Sequence, residues 1–482
     1  MERILTVEQM KHADKFTMES LGISHDELVL RAGKVVAEEI KKRFFGGRVL
    51  VCIGKGNNGE DGKVVANILS KIHGFSVMTV NVSNGIFKVF DKPFDIIVDC
   101  IFGTGLNKEV TGKYKTAIEK INNSGAYVIS CDIPSGLNGD IGVPEGVSVK
   151  ANLTIAIQEY KTGHFLNQGK EYCGEVISKD IGISVWEEDF IYRLTDKNAK
   201  QFFPPRNKCS HKGNFGKVCI LGGSKSYSGS VILSTLAISA LKTGVGYSTL
   251  AIPNCIYNTV ALHYPEITYS ILDSDDNNII FSEQTKEKLN SLMNYSSIAV
   301  GMGMGVNEDN YKILSYILDN YSGNLLVDAD ALNTLSKFGV DILKNKKCKV
   351  VITPHVAEME RLTGIEKGEI LKNSIEIAKN FANEYGVIVV LKNAVSVITD
   401  GKNVILNTTG NSGLSKGGSG DVLSGIIAGL LARTEDILEA SAVGCYILGK
   451  AAEKSAKNIN EYSLTATDVI NAIIQVVNDL TQ

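Results

Sequence analysis

Short apolar runs that end in glycine-rich polar loops recur along the chain and constrain its fold more than any other feature. In the first half such runs are RVLVCI at 48–53, FDIIVDC at 94–100 and AYVISC at 126–131. A helical pattern with apolar residues on one face follows the first of them, at 63–73. Continuous apolar strands that alternate with helices are typical of a parallel sheet covered on both faces. The pattern therefore predicts an α/β fold.

The same alternation starts again in the second half. The stretch 198–214 interrupts it, because this stretch contains a Pro-Pro pair and lacks apolar periodicity. A chain of 482 residues is long enough for two or three domains. We therefore predict two three-layer αβα domains, 1–205 and 206–482, of which the first is Rossmann-like.

Charge and cysteine content exclude several classes of protein. The chain has 50 Lys+Arg against 53 Asp+Glu and contains no basic block, which argues against binding to nucleic acid or anionic membranes. Its longest apolar stretches are too short to span a bilayer, and its N-terminus lacks a signal-peptide pattern. Nine scattered cysteines without a CxxC pair indicate a reducing compartment. We expect a cytoplasmic protein.

The loop GKGNNGEDG at 54–62 contains a GxGxxG pattern, which after a strand favours a dinucleotide site. The next predicted strand, however, ends in VNV at 80–82 and lacks the acidic residue that would hold a ribose. The amide and carboxylate side chains of the loop suit a hard cation better than a bare pyrophosphate. A purely structural tight turn is the alternative.

Aspartates end two neighbouring predicted strands. Asp99 ends the third strand and Asp132 follows the fourth. Because the carboxyl ends of adjacent strands converge on one crevice, these carboxylates could share a metal or perform acid–base chemistry. Either one alone is more often a helix cap or an Asx turn. Ser135 adds a possible oxygen ligand, although Pro-Ser-Gly is also ordinary turn chemistry.

The pentapeptide GGSGD at 417–421 is the sharpest local signal in the second half. Glycines before a helix let several backbone N–H groups point at one anion. The helix dipole adds roughly 0.3–1 kcal/mol of preference for negative charge at that position. Asp421 could take a proton from a substrate hydroxyl there, although a capped helix start is the alternative. Three further polar residues also follow predicted strands: His355, Asp328 and Asp330. Each could contact a ligand or serve only the structure of its turn. The sequence has no GxxxxGK[ST] loop.

Longer segments that contain these motifs resemble known families. GKGNNGEDG, VDCIFGTG, CDIPSG and YKTGHFLNQGKEYCGEV resemble the nicotinamide nucleotide hydrate epimerases. HKGNFGKVCILGGSKSYSGS, LVDADALN, TPHVAEMERLTG, LKNAVSVITDG and GGSGDVLSGIIAGLLAR are similar to the nicotinamide nucleotide hydrate dehydratases, which are ribokinase-like. Their order is that of the bifunctional repair enzymes, and the similarity covers nearly the whole chain.

The resemblance implies repair of NADHX and NADPHX, which are NADH and NADPH hydrated at the nicotinamide C6. The first domain would interconvert the R and S hydrates. The second would convert the S hydrate to NADH or NADPH at the expense of ADP, giving AMP and phosphate. A ribokinase-like small-molecule kinase with a regulatory or non-catalytic N-terminal binding domain is the alternative. We also expect a homo-oligomer.

The resemblance also implies functional residues in the first domain. Asp132 would be the acid–base residue, and potassium would bind to Asn58, Asp99 and Ser135. The substrate would contact Asp132 and two loops, which comprise Asn57, Asn58, Gly59, Glu60, Asp61, Gly103, Thr104, Gly105, Leu106, Asn107, Lys108 and Glu109.

In the second domain, Gly303, His355 and Asp421 would contact the hydrate, with Asp421 as the base. Mg²⁺ would bridge the phosphates of the nucleotide. The nucleotide would contact Lys392, Asn393, Ala394, Val395, Ser396 and Gly420.

Overall fold

The computed structural model describes residues 1–85, 88–186, 190–238 and 243–482. By internal contacts the chain divides into two compact units, Arg3–Phe190 and Ile191–Gln482, the latter together with Met1–Glu2. We call them the first and the second unit.

This division comes earlier in the chain than the boundary predicted at 205/206. Ile191–Arg193 forms a strand that pairs in parallel with Val404–Asn407. Leu194, Ala199 and Phe203 are buried in the core of the second unit. The segment 191–205 therefore packs with the second unit, because its apolar side chains find their partners there.

The first unit is built on a six-stranded sheet in which every pair of neighbours is parallel. The order of its strands is Phe75–Asn81, Gly47–Ile53, Ile96–Cys100, Tyr127–Cys131, Leu153–Ile157 and Glu175–Lys179. A short parallel pair, Glu2–Leu5 with Tyr160–Lys161, lies outside this sheet. The α-helices are Val7–Leu21, His25–Arg43, Asn57–Leu69, Gly112–Asn122 and Gly169–Cys173.

Apolar side chains cover both faces of this sheet. Val49 and Val51 belong to one buried cluster, and the alternate residues Leu50 and Cys52 belong to another. Successive side chains of a strand point to opposite faces, so helices must pack on both sides. This three-layer αβα arrangement is the predicted one.

The second unit contains a larger, mainly parallel sheet. In order across it, the strands are Thr268–Leu272, Tyr247–Pro253, Lys217–Leu221, Ser297–Val300, Asn324–Val327, Lys349–Ile352, Ile388–Leu391, Ser396–Thr399, Val404–Asn407 and Ile191–Arg193. Its α-helices are Asp196–Gln201, Ser228–Ile238, Tyr257–Val260, Glu283–Leu292, Glu308–Asn320, Asp330–Phe338, Val356–Thr363, Lys367–Lys372, Ser374–Tyr385, Ser419–Leu431, Ile437–Ser455 and Ala466–Thr481.

One strand of the second unit breaks the parallel pattern. Ser396–Thr399 is antiparallel to both of its neighbours, Ile388–Leu391 and Val404–Asn407. This meander adds strands beyond the predicted parallel ones and presents the turn at Lys392 at the edge where the parallel strands end. The predicted α/β fold class is confirmed. Among the residues that the structure describes, no helix is long and apolar enough to cross a membrane.

Two candidate active sites

The asparagine-rich loop of the first unit folds tightly because its glycines allow close backbone contacts. A Cβ atom at Gly54 would lie 1.9 Å from the carbonyl oxygen of Ile101, and one at Gly59 would lie 2.3 Å from the carbonyl oxygen of Gly54. The helix Asn57–Leu69 therefore begins close to the end of the strand Gly47–Ile53. These two glycines of the GxGxxG pattern are needed by the fold itself.

The side chain of Asn58 points into the protein at the start of this helix. Its Nδ2 donates to the carbonyl oxygens of Phe102, at 2.8 Å, and Cys131, at 3.2 Å. These two bonds set the orientation of the amide. Its Oδ1 is buried and accepts no hydrogen bond from the described residues. Burying an acceptor without a hydrogen-bond donor costs folding free energy. This oxygen is therefore a candidate ligand for a cation.

Asp99 and Ser135 are hydrogen-bonded to each other, and Ser135 also contacts the Phe102 backbone. Ser135 donates from Oγ to Asp99 Oδ1 at 2.5 Å and from its backbone N–H to Oδ2 at 2.8 Å. The Phe102 N–H donates to Ser135 Oγ at 2.8 Å. Burial raises the pKa of Asp99, although the hydrogen bonds from Ser135 and Ser130 oppose the shift. Of the three predicted potassium ligands, Asn58 and Ser135 thus contact the Phe102 backbone, and Ser135 connects it to Asp99.

Asp132, the predicted acid–base residue, has an unusual backbone and a charged partner. Its φ of +64° is left-handed, which is uncommon for a residue other than glycine. Its Oδ1 accepts from the Ile157 N–H at 3.0 Å and forms an ion pair with the Lys161 ammonium. The Lys161 side chain is only 1% exposed and also donates to the Ile157 carbonyl at 2.8 Å.

His164 contacts the same residue. Its Nε2 lies 2.8 Å from the carbonyl oxygen of Asp132, and its Nδ1 accepts from the Lys161 N–H at 3.0 Å. Lys161 and His164 lie in a segment that resembles the epimerases, and neither was a predicted site residue. The available signal was their position just after the apolar run at 151–157.

Two further carboxyl groups interact electrostatically with Asp132. Burial raises the pKa of Asp61 to about 8, and the negative charges of Asp132, Glu60 and Asp14 add to the shift. Burial also raises the pKa of Asp14 to about 6, while the Lys161 ammonium opposes the shift. Asp61 was a predicted substrate contact, but Asp14 was not predicted, since nothing in the opening helix marks it. The site therefore combines an ion-paired carboxylate with carboxyls that titrate near neutral pH.

The second predicted substrate loop of the first unit begins beside Asn58. A Cβ atom at Gly103 would lie 3.6 Å from Asn58 Cβ. Leu106 packs against one of the apolar clusters, and Gly105, Asn107, Lys108 and Glu109 are exposed. The loop therefore starts at the site and ends in an exposed tip. Thr104, between Gly103 and that tip, is half-buried. In the helical loop, Asn57 is exposed, Gly59 is buried and Glu60 is half-buried.

The predicted anion pocket of the second unit lies at the start of the helix Ser419–Leu431. Gly418 precedes this helix with a left-handed φ of +90°, and Asp421 lies in its first turn. A Cβ atom at Gly420 would lie 3.6 Å from Lys392 Nζ. The helix N-terminus and an ammonium group therefore face the same space, an arrangement that favours a bound anion.

Asp421 is half-buried at this helix start. Burial raises the pKa of its carboxyl to about 7, with the nearby Asp328 carboxylate adding to the shift and Lys392 opposing it. A carboxylate with a pKa near neutrality is well suited to accept a proton.

Lys392 is held by a buried carboxylate. Its Nζ donates to Asp328 Oδ1 at 2.8 Å, and Ser424 Oγ donates to Asp328 Oδ2 at 2.6 Å. Burial alone would raise the pKa of Asp328, but the Lys392 ammonium holds it below its usual value. Asp328 is thus the buried partner of Lys392, a contact that the sequence did not predict. Asp330 accepts from the Gly305 N–H at 2.8 Å.

His355 caps the helix Val356–Thr363 and lies beside Lys392 on the neighbouring strand end. Its Nδ1 accepts from the N–H groups of Ala357 and Glu358, each at 3.1 Å. Burial and the positive charge of Lys392 lower the pKa of His355, which favours the neutral ring. The buried Glu358, not predicted from the sequence, has a pKa raised to about 7 by burial.

The remaining predicted contacts of the second unit lie on two loops. Gly303 has a left-handed φ of +64°, and a Cβ atom there would lie 2.7 Å from Tyr227 Cβ. In the turn after Lys392, Asn393 and Ala394 are exposed, whereas Val395 and Ser396 are buried. The exposed members of this turn are thus the ones accessible to a nucleotide.

Two family models match the chain, one in each half. A family model described as NAD(P)H-hydrate dehydratase matches residues 218–475. A second, described as YjeF-related protein N-terminus, matches 25–86 and 83–163.

Similarity also extends over whole proteins. The bifunctional NAD(P)H-hydrate repair enzyme Nnr of Thermofilum pendens is 31% identical over 99% of this chain and 97% of its own length. That of Dictyoglomus turgidum is 32% identical over 99% of both. A crystal structure of the ADP/ATP-dependent NAD(P)H-hydrate dehydratase from Bacillus subtilis, co-crystallised with ATP/Mg²⁺, covers 60% of this chain and 98% of its own, with 26% identity and a TM-score of 0.51. The alternative of a small-molecule kinase is therefore not favoured. The chain belongs to the family of bifunctional NAD(P)H-hydrate repair enzymes.

Proposed function

We propose that the chain repairs NADHX and NADPHX with a division of labour between two domains, predicted as 1–205 and 206–482, whose functional residues lie in the first and the second unit respectively. The first domain interconverts the R and S hydrates. The second dehydrates the S hydrate with ADP. The observation that carries the proposal is the position of Asp421, whose carboxylate lies at a glycine-rich helix start that also faces the Lys392 ammonium.

In the second domain, the oxygen of the C6 hydroxyl attacks the terminal phosphorus of ADP, and Asp421 takes the proton of that hydroxyl. AMP leaves, and the new phosphate ester then loses phosphate from C6 and a proton from the neighbouring ring carbon, which restores the dihydronicotinamide. The N–H groups at the start of Ser419–Leu431, together with Lys392, stabilise the charge on the migrating phosphoryl group. His355 and Gly303 would contact the hydrate, and Asn393 and Ala394 the nucleotide.

Mg²⁺ fits the donor chemistry of this region. Hard oxygen atoms are its preferred ligands. Asp328 is engaged with Lys392 and Ser424. Glu358 is a further buried carboxylate, whose Oε2 accepts from the His355 N–H at 2.8 Å and lies 4.0 Å from Lys392 Nζ. We propose that Glu358 would hold Mg²⁺ beside the nucleotide. Bound there, the metal would neutralise charge on the phosphates.

In the first domain, inverting the configuration at C6 requires that the bond from C6 to oxygen or to the ring nitrogen breaks and forms again. The proton on the C6 oxygen has to move in both directions. Asp132, ion-paired with Lys161, is the group that accepts it. Asp61, whose pKa burial raises to about 8, holds a proton at neutral pH and can deliver it. The substrate would lie between the loop at Asn57–Asp61 and the loop that starts at Gly103.

Potassium fits the first site through Asn58. Its Oδ1 is buried and accepts no hydrogen bond from the described residues, so it offers a free lone pair. Asp99 and Ser135 add hard oxygen atoms around the same backbone. We propose that these three residues hold the ion, which would lie beside the strand end that carries Asp132.

Substituting Asn58 by alanine is expected to raise the K⁺ concentration needed for half-maximal epimerisation by about tenfold or more, since the open ligand oxygen is lost. The measurement is a titration with KCl at constant ionic strength. As a control, Asn57→Ala removes the exposed neighbouring amide and is expected to keep the K⁺ requirement. An unchanged half-saturation concentration in Asn58→Ala would exclude this residue as a ligand.

The dehydratase rate is expected to depend on the ionisation of Asp421. Because its pKa is raised to about 7, the carboxyl is protonated and inactive below that pH and becomes the required base above it. The kcat/KM for the S hydrate should thus rise about tenfold per pH unit in acid and level off above neutrality. Initial rates between about pH 5.5 and 8.5 measure this, and a flat profile would contradict it.

One assay tests the proposed function as a whole. The protein is incubated with mixed NADH hydrates, with and without ADP or ATP, while the absorbance of reduced nicotinamide and both epimers are followed. Repair predicts a nucleotide-dependent return of absorbance with release of inorganic phosphate, and consumption of both epimers. A kinase would instead accumulate a stable phosphorylated alcohol. Comparison of ADP with ATP, and of NADHX with NADPHX, decides both preferences.

We propose a cytoplasmic location, where these nucleotides are used. All nine cysteines lie among the described residues and are free, and only Cys209 and Cys255 are exposed, which fits a reducing compartment. Homo-oligomer formation stays a prediction, which light scattering tests.

A further inference from the structure

The buried imidazole of His164 joins the candidate base of the first unit to the segment that carries its ammonium partner. The Lys161 N–H donates to Nδ1 at 3.0 Å, so this nitrogen carries no proton. The proton therefore lies on Nε2, which donates to the carbonyl oxygen of Asp132 at 2.8 Å. One ring thus contacts both residues of the Asp132–Lys161 ion pair, through their backbones.

The backbone of Asp132 needs such support. Its left-handed φ of +64° is sparsely populated by non-glycine residues and persists where the surroundings impose it. Its N–H donates to the Ile155 carbonyl at 2.9 Å, which holds one side of the residue. The bond from His164 holds the carbonyl on the other side. Without it, the peptide after Asp132 could rotate toward a common conformation and carry the carboxylate away from Lys161.

The segment that carries His164 is itself well anchored. A Cβ atom at Gly163 would lie 2.3 Å from the carbonyl oxygen of Asn138, so this backbone packs without room to shift. His164 is completely buried. The imidazole can therefore transmit the position of a rigid segment to the Asp132 backbone.

We propose that His164 is a positioning residue for epimerisation, because it holds Asp132 in the left-handed conformation that pairs its carboxylate with Lys161. The inference rests on the proposed function of the first domain and extends it to a residue that acts through the base without touching the substrate.

The test uses the full-length protein with His164→Phe, His164→Gln and the exposed control His73→Phe. Phenylalanine keeps the ring and loses both hydrogen bonds, whereas the glutamine amide can donate from the position of Nε2. We expect His164→Phe to lower kcat for the R hydrate about 100-fold with little change in KM, as expected for a base displaced by about 1 Å. His164→Gln should recover most of the rate. Circular dichroism and thermal unfolding of each variant report whether the first unit is folded, because dehydration of the S hydrate is assigned to the second unit.

A double-mutant cycle sharpens the test. If His164 acts through Asp132, then His164→Phe should add little further loss in an Asp132→Asn background. Wild-type kcat for the R hydrate in folded His164→Phe, or additive losses in the cycle, would overturn the inference. So would a crystal structure of His164→Phe in which Asp132 keeps its backbone conformation and ion pair. Absence of R-hydrate consumption by the wild-type protein would refute the proposed function itself.

Discussion

Replacement of Asp421 by asparagine is expected to lower ADP-dependent formation of NADH from the S hydrate by about 10²–10⁴-fold, while interconversion of the hydrates continues. The substitution preserves the shape of the side chain and removes its ability to accept the hydroxyl proton. The pKa of Asp421, which burial raises to about 7, indicates that the wild-type carboxyl can take up that proton near neutral pH. The measurement is the single-turnover rate of absorbance recovery with saturating ADP.

Asp276→Asn is the matched control, since this aspartate is exposed in the same unit. It should retain the wild-type rate. If Asp421→Asn repaired the S hydrate at the wild-type rate, Asp421 would not be the base. A loss confined to KM for ADP would assign the residue to nucleotide binding instead.

Replacement of Asp132 by asparagine is expected to stop consumption of the R hydrate, with a loss of about 10²–10⁴-fold, while repair of the S hydrate continues. The amide cannot accept the proton and no longer forms an ion pair with Lys161, which is buried beside it. In a mixture of hydrates, absorbance should recover only to the fraction that was initially S. Chromatography of the two epimers over time measures this directly.

Asp91→Asn serves as the control for this site, because its side chain is exposed and lies 3.6 Å from Lys120 at the surface. It should consume both epimers. Equal consumption of R and S by Asp132→Asn would contradict the division of labour between the two domains. Loss of S-hydrate repair as well would show that the substitution disturbs more than the first unit.

Lys161 shows why the partners of Asp132 were not predictable. It pairs with a carboxylate that is 29 positions away in the sequence, across a strand and its following turn. No local periodicity or motif encodes such a contact, since it depends on which strands become neighbours. The same holds for Lys392 and Asp328, which lie 64 positions apart and meet because their strand ends adjoin the same edge of the sheet.

The glycine patterns marked the position of the first site better than they indicated its ligand. The GxGxxG loop suggested a ligand, but Gly54 and Gly59 are needed for contacts between backbone segments of the fold itself. The ligand-facing feature is the adjacent Asn58, whose Oδ1 is buried without a partner among the described residues. The polar residues of the loop therefore indicated the site better than its glycines did.

Local sequence alone determined the α/β class, the strands predicted from the runs at 48–53, 94–100 and 126–131, and the residues at the ends of strands and the starts of helices, including Asp99, Asp132 and Asp421. These features follow from short-range hydrophobic patterns and turn chemistry, which a few neighbouring residues specify. Tertiary structure alone decided the protonation preferences of Asp61 and Asp421, the contacts of His164 and Lys161 with Asp132, and the packing of 191–205 with the second unit. Burial, ion pairing and strand pairing decide these properties, and each depends on residues that only folding brings together.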